Sequence, residues 1–90
     1  MDNLIWAPTA WEEYIAWQGE DKKTLKRING LIKSIQRDGY DKGLGKPEPL
    51  KGELSGFWSR RINEKDRLIY SVDSEKDIII ISCQSHYGDK

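Results

Sequence analysis

Apolar side chains recur every three or four residues between positions 21 and 37. Because an α-helix completes a turn about every 3.6 residues, this spacing places them along one side of a helix. The apolar stripe comprises Leu25, Ile28, Leu31, Ile32 and Ile35. The other side carries six cations, Lys22, Lys23, Lys26, Arg27, Lys33 and Arg37. The pattern predicts an amphipathic helix whose basic side is either solvated or in contact with an anionic partner.

A short apolar segment at residues 4–7 precedes Pro8 and predicts a strand that stops at that proline. Thr9 and Glu12 have the spacing of a capping box, so we expect a first helix to begin there. Gly19 is expected to end it. The large side chains of this helix are Trp11, Tyr14, Ile15 and Trp17.

The four tryptophans are better explained by packing than by stacking on nucleic-acid bases. Strand or helix periodicity points Trp6, Trp11 and Trp58 toward a core. Trp17 lies near the end of its helix, so a surface position is the alternative to a core position for this residue.

Residues 39–45 are rich in glycine, and Pro47 and Pro49 follow closely, so we expect an irregular loop here. Three extended segments come next, and their short polar connections favour antiparallel hairpins. They cover residues 56–62, 67–72 and 77–85. The order β-α-α-β-β-β predicts an α+β fold, with two N-terminal helices packed on a mainly antiparallel sheet of four to five strands.

Alternation along the predicted strands assigns side chains to the two faces of the sheet. In the second of these strands the more apolar face is expected to meet the helices, which sends Arg67 to the open face. In the strand before it, Trp58 and Ile62 are expected in the core, so Arg61 joins Arg67 on the open face. Arg60 then falls on the core side, and we expect it at a sheet edge with its guanidinium in solvent.

Length and charge indicate one domain, residues 1–90, with a local anion site. Formal net charge is zero, but residues 42–67 hold seven cations against four anions. This distribution suits one anionic group better than a broad polyanion-binding surface. Cys83 is the only cysteine, and no Cys/His cluster has metal-ligand spacing. We therefore expect a cytoplasmic protein with no metal, no cofactor and no membrane segment.

Two titratable residues suggest acid/base chemistry. Glu48 stands between two prolines within the basic segment, and His86 is the only histidine. Cleavage of a phosphodiester needs one group to remove a proton, another to supply one, and cations to balance charge on the phosphate. Taken alone, Glu48 reads as a polar loop residue and His86 as a solvated terminal residue. Their joint order with Arg61 and Arg67 points to RNA.

Motifs follow one another along nearly the whole chain: Leu4-Ile5-Trp6, Gly45-Lys46-Pro47-Glu48-Pro49-Leu50-Lys51, Leu54-Ser55-Gly56-Phe57-Trp58-Ser59-Arg60-Arg61-Ile62, Arg67-Leu68-Ile69-Tyr70 and His86-Tyr87. This set resembles the YoeB/Txe toxins of the RelE-like group of bacterial toxin–antitoxin systems. Known members of that family are ribosome-dependent endoribonucleases that cut messenger RNA in the A site. The resemblance implies a metal-independent endoribonuclease that inhibits translation.

The resemblance also implies roles and partners. Glu48 would be the general base, His86 the general acid, and Arg67 would stabilise charge on the scissile phosphate. Three further residues would bind the phosphate or position the RNA: Lys51, Arg61 and Tyr87. The implied partners are a YefM-like antitoxin, the 70S ribosome with its messenger RNA, and operator DNA only through the antitoxin complex. Whether the chain forms a homodimer stays open.

The chain departs from the family pattern near its end, and two other functions stay open. Gln84 and Ser85 stand where an arginine and an aromatic residue are expected, and residues 88–90 extend past Tyr87. The differences at Gln84 and Ser85 would weaken or shift RNA contacts without touching the chemistry. One alternative function is a non-cleaving inhibitor that blocks the ribosomal A site. The other is a regulatory protein that pairs only with an antitoxin and DNA.

Overall fold

A computed structural model describes residues 3–85 and contains two helices packed on a five-stranded mixed sheet. The elements are β1 (Leu4–Trp6), α1 (Pro8–Glu20), α2 (Lys22–Asp38), β2 (Glu48–Pro49), β3 (Trp58–Arg61), β4 (Arg67–Val72) and β5 (Ile78–Ser85). The sheet order is β1-β5-β4-β3-β2, with β1 parallel to β5 and every other pair antiparallel. The predicted α+β class is confirmed. Within the described residues, no helix is long and apolar enough to cross a bilayer.

The prediction of an irregular segment before β3 is wrong at Glu48 and Pro49, which form β2. Glu48 pairs with Ser59, and Pro49 pairs with Trp58. Proline is tolerated here because β2 is an edge strand, where one side of the backbone needs no hydrogen-bond partner. The backbone of Glu48 is therefore fixed by the sheet rather than by a loop.

The start of α1 also differs from the prediction. The helix begins at Pro8 with Ala7 as its N-cap, and no side chain caps it, so the proposed capping box at Thr9 is wrong. Proline at the first helical position supplies a φ angle that already suits the helix.

The junction between the helices lies slightly later than expected. α1 continues past Gly19 to Glu20, and Asp21 then serves as the N-cap of α2. The Asp21 carboxylate accepts hydrogen bonds from the backbone N–H groups of Lys23 and Thr24. These bonds satisfy donors that the first turn of a helix leaves unpaired.

The core lies between the helices and the sheet. The apolar stripe of α2 is confirmed at Ile28, Leu31, Ile32 and Ile35, which are buried together with Leu68, Tyr70, Ile78 and Ile80. Trp17 is buried, and its Nε1 donates a hydrogen bond to the Cys83 carbonyl at 2.9 Å. Trp11 is 47% exposed, so its predicted core position is wrong. Its ring instead packs edge-on against Trp6.

Arg60 is fully buried, so the expectation of a solvent-exposed guanidinium is wrong. Its Nε donates to the Tyr70 hydroxyl at 2.9 Å, and Nη1 donates to the Ser34 hydroxyl at 3.1 Å. Nη1 and Nη2 also donate to backbone carbonyls of Gly39, Lys42 and Leu44. A buried charge is tolerated when its donors are paired in this way. Arg60 thereby ties the segment after α2 to the sheet.

Gly45 continues this close packing toward β2. Its carbonyl accepts a hydrogen bond from the backbone N–H of Arg61 at 2.8 Å. Its φ is +89°, and a Cβ placed here would lie 2.6 Å from Leu31 Cδ2 and 3.2 Å from Arg60 Cβ. Glycine is therefore required, and the chain reaches Glu48 three residues later along a closely fitted path.

Cys83 is expected to be chemically inert in the folded protein. Its side chain is 0% exposed, and burial raises the pKa of the thiol to about 12. Because the thiolate is the reactive form, a disulfide reagent at pH 8 should modify Cys83 only after denaturation. Thiol titration with and without urea measures this. Rapid modification of the native protein would show that the α1–β5 contact around Cys83 opens readily.

Candidate active site

The open face of the sheet brings together predicted site residues from three neighbouring strands. Glu48 on β2 is the cross-strand partner of Ser59 on β3. Arg61 lies two residues after Ser59, and its own cross-strand partner is Arg67 on β4. Cross-strand partners, and residues two apart in a strand, project from the same face. Glu48, Ser59, Arg61 and Arg67 therefore share one surface, away from the buried Arg60.

These residues border a cavity of about 330 Å³. Its lining consists of Glu48, Pro49, Leu50, Lys51, Ser59, Arg61 and Arg67. Glu48, Lys51 and Arg61 are exposed and Arg67 is half-buried, whereas Leu50 and Ser59 are buried. One carboxylate thus stands beside three cations in a solvent-accessible cleft, which suits a phosphodiester group with a nearby proton to remove.

Arg61 and Arg67 form a directly opposed pair of like charges on adjacent strands. Such a pair disfavours folding, because each guanidinium is held in the repulsive field of the other. An anion bound between them would relieve that repulsion. Two guanidinium groups side by side on the open face are suited to contact one anionic group.

Replacing Arg61 with Gln should stabilise the isolated protein slightly. Removal of one like charge across the strand pair is worth about 0.2–1 kcal/mol, and the Arg61 side chain is exposed. Urea unfolding at low salt measures the change. Lys65→Gln, which neutralises an exposed cation in the β3–β4 turn, is the matched control and should leave stability nearly unchanged. A clear loss of stability in Arg61→Gln would mean that the side chain has a structural role.

The turn between β3 and β4 holds Arg67 in place. Arg67 Nη1 donates hydrogen bonds to the Asn63 carbonyl at 2.9 Å and the Asp66 carbonyl at 3.2 Å. Asn63 in turn accepts, through Oδ1, the backbone N–H groups of Lys65 and Asp66. A guanidinium held by a rigid turn needs little reorganisation to meet a developing negative charge.

The predicted residues His86 and Tyr87 lie outside the described residues. Ser85, directly before them, is the cross-strand partner of Arg67. The chain therefore reaches position 85 at the edge of the cleft.

Two residues near the cleft were missed by the sequence analysis. Ser59 lies between Glu48 and Arg61 on the open face, and strand alternation with Arg61 could have identified it. Arg27 was treated only as part of a basic helix side, but its Nη2 donates to the Arg61 carbonyl at 2.9 Å. No signal in the sequence links α2 to β3 at this point.

A larger cavity, with a volume of about 670 Å³, lies elsewhere. It is bordered by the C-terminal turn of α2 and the β4–β5 connection, including Tyr40 and Val72. None of the predicted site residues lines it. The predicted site residues therefore cluster in the smaller cleft and not in the larger cavity.

The two-helix, five-stranded mixed sheet with a basic cleft on its open face defines a RelE-like toxin fold. The family model for the YoeB-like toxin of the bacterial type II toxin–antitoxin system matches residues 6–87. A toxin YoeB of Synechocystis sp. is 58% identical over 84 residues, covering 93% of this chain and 95% of the relative.

Solved structures agree with this assignment. YoeB in the heterotetrameric YoeB–YefM complex of Staphylococcus aureus has a TM-score of 0.88 and 49% identity, covering 97% of this chain and 99% of that one. The YoeB dimer of the same organism has a TM-score of 0.89 and 50% identity, with coverage of 96% and 98%. The chain belongs to the YoeB family of type II toxins.

Proposed function

We propose that this toxin is a ribosome-dependent endoribonuclease that cuts messenger RNA in the A site, and that it acts in the cytoplasm. The observation that carries the proposal is the convergence of Glu48, Lys51, Arg61 and Arg67 on one cleft. These four are the residues to which the family resemblance assigns proton removal and phosphate contacts. The four residues come from β3, from β4 and from the edge segment around β2. Their order along the chain does not by itself bring them together.

Glu48 acts as the general base. Its exposed carboxylate removes the proton from the 2′-hydroxyl of the nucleotide before the scissile bond. The resulting oxygen attacks the adjacent phosphorus, and a 2′,3′-cyclic phosphate forms as the bond from phosphorus to the 5′-oxygen breaks. The 5′-oxygen leaves with a proton from a general acid. We assign that acid to His86, with Tyr87 positioning the RNA.

Arg67 and Arg61 bind the non-bridging oxygens of the phosphate, and Lys51 adds a third positive charge. Negative charge on these oxygens grows in the transition state, so pre-positioned cations stabilise it more than they stabilise the bound substrate. Arg67 is held in place by its hydrogen bonds to the β3–β4 turn, which supports its role as the main phosphate contact of the three. A planar guanidinium can also donate two parallel hydrogen bonds to one phosphate.

A YefM-like antitoxin is the proposed protein partner. YoeB of S. aureus forms a complex with YefM and also a dimer in solved structures. We extend both assemblies to this chain on the basis of its 49% and 50% identity to those proteins. Contact with operator DNA would occur only through the antitoxin complex, since the chain itself has no net positive charge.

Primer extension on a translating messenger RNA tests the activity. The purified protein should produce a new 3′ end within the A-site codon when 70S ribosomes are present. Naked RNA at physiological salt should stay intact, because the basic segment is small and the ribosome must supply positioning. Stalled ribosomes without a cut would contradict the proposal and favour a non-cleaving A-site inhibitor. Efficient cutting of naked RNA would contradict the ribosome requirement.

A further inference from the structure

A second cavity of about 340 Å³ adjoins the cleft. It is lined by Arg27, Arg61, Ile62, Asn63, Glu64 and Arg67. The opposed arginines Arg61 and Arg67 line both cavities. Glu48 and Lys51 border only the first cavity, whereas Arg27 borders only the second. The two cavities therefore share a wall of two arginines.

Arg27 reaches this place from α2 and is fixed there. It is half-buried, and its Nη2 donates a hydrogen bond to the Arg61 carbonyl at 2.9 Å. A guanidinium carries several N–H donors, so this single bond leaves others for a ligand. The contact explains how a helix residue is held beside the end of β3.

The charge of the second cavity is positive. Three guanidinium groups meet one carboxylate, that of Glu64, which is exposed in the β3–β4 turn. Arginine is also the cation best suited to planar phosphate contacts. The site therefore suits a phosphodiester group.

We infer that the second cavity binds the phosphate next to the scissile one on the same messenger strand. Arg27 is the residue that contacts this phosphate specifically. This inference rests on the proposed function. It extends the substrate contact from one phosphate to two, because consecutive phosphates of a single strand can lie on the two sides of Arg61 and Arg67. Arg27 would then hold the strand in register while Glu48 faces the correct 2′-hydroxyl.

The test combines a protein variant with a substrate variant on the ribosome. Messages are prepared with a single neutral methylphosphonate in place of each phosphate that flanks the scissile bond. For wild-type protein, one of the two replacements should slow cleavage roughly tenfold, the lower end of what a hydrogen bond to a charged group contributes. Arg27→Ala should slow cleavage of the unmodified message by about the same factor. The two changes together should slow cleavage no more than either change alone, because both remove the same contact.

Two further variants make the result specific. Arg27→Gln removes the charge but keeps an N–H donor for the Arg61 carbonyl, so it should behave like Arg27→Ala if phosphate binding matters. Wild-type cleavage rates in Arg27→Gln would mean that only the structural bond is important, and would overturn the inference. Lys26→Ala neutralises an exposed neighbour on α2 outside both cavities, and should keep the full sensitivity to the methylphosphonate.

The outcomes separate this inference from the proposed function. Multiplicative effects of Arg27→Ala and each methylphosphonate would show that Arg27 contacts something other than these phosphates, such as ribosomal RNA. That result would overturn the inference while leaving cleavage intact. If wild-type protein cuts no message at all, the proposed function itself fails.

Discussion

Glu48→Gln should abolish most of the cleavage while leaving the fold unchanged. The amide is nearly the same size as the carboxylate but cannot accept a proton from the 2′-hydroxyl. Loss of a positioned general base typically slows a reaction about a hundred- to ten-thousandfold. Glu48 is exposed on an edge strand, so its replacement should change the free energy of unfolding by less than about 0.5 kcal/mol.

Single-turnover cleavage on programmed ribosomes measures this effect at saturating toxin. Glu53→Gln is the matched control, because Glu53 is an exposed carboxylate close by that does not line the cleft. It should cut at the wild-type rate. Ribosome binding by Glu48→Gln should also match wild type, which would assign the loss to chemistry. A Glu48→Gln protein that cuts within a few fold of wild type would remove Glu48 from the mechanism.

Arg60→Met should cause the largest loss of stability of any single change proposed for this chain. The substitution keeps much of the side-chain volume but leaves the hydroxyls of Tyr70 and Ser34 without their guanidinium donor. It also removes the hydrogen-bond donor of the Gly39, Lys42 and Leu44 carbonyls. Removing one partner from a buried network costs about 3–5 kcal/mol, because the remaining polar groups stay desolvated and unpaired.

Urea unfolding of Arg60→Met against Arg61→Met isolates this contribution. The two residues are adjacent on β3 and chemically identical, but one is fully buried and the other is exposed. Arg61→Met should lose no stability, consistent with the like-charge pair that it relieves. Equal unfolding free energies for the two variants would mean that the buried network contributes little. Arg60→Lys should not restore stability, since an ammonium cannot reach five acceptors spread in different directions.

The fold was predictable where local pattern and tertiary packing agree. The stripe on α2 recurs at helical spacing, and its members are the residues buried against Leu68 and Tyr70. β4 matched its predicted bounds because short polar turns mark both ends. Prediction was wrong where a distant partner decides the structure. β2 exists because β3 offers a pairing edge, which the Glu48-Pro49 sequence alone does not reveal.

Arg60 illustrates the same limit for side chains. Its alternation with Trp58 correctly assigned it to the core side of the sheet. Sequence alone could not show that carbonyls from residues 39–44 would surround it there. These acceptors come from a segment about twenty residues away, and their direction depends on how the chain after α2 folds back. The prediction of a solvent-exposed guanidinium was therefore wrong, because the acceptors that pair with it could not be identified from the sequence.

The candidate site was predictable in large part because strand alternation controls it. Placing Arg61 and Arg67 on one face follows from period-two geometry, and both line the cleft. The position of Glu48 between two prolines in the basic segment indicated this carboxylate, and the family resemblance supplied Lys51. The structure brings both residues to the same cavity. Arg27 was not predictable as a neighbour of β3, because its position depends on how α2 crosses the sheet. The roles of His86 and Tyr87 stay predictions.

The central claim is that the cleft promotes attack by a 2′-hydroxyl on the adjacent phosphate. Its most direct test is cleavage of a ribosome-bound message in which the nucleotide before the scissile bond carries 2′-deoxyribose. The account predicts that wild-type protein cuts the all-ribose message to a 2′,3′-cyclic phosphate end and leaves the deoxy message intact. Cleavage of the deoxy message at a comparable rate would contradict the account, because the nucleophile could not then be the 2′-oxygen.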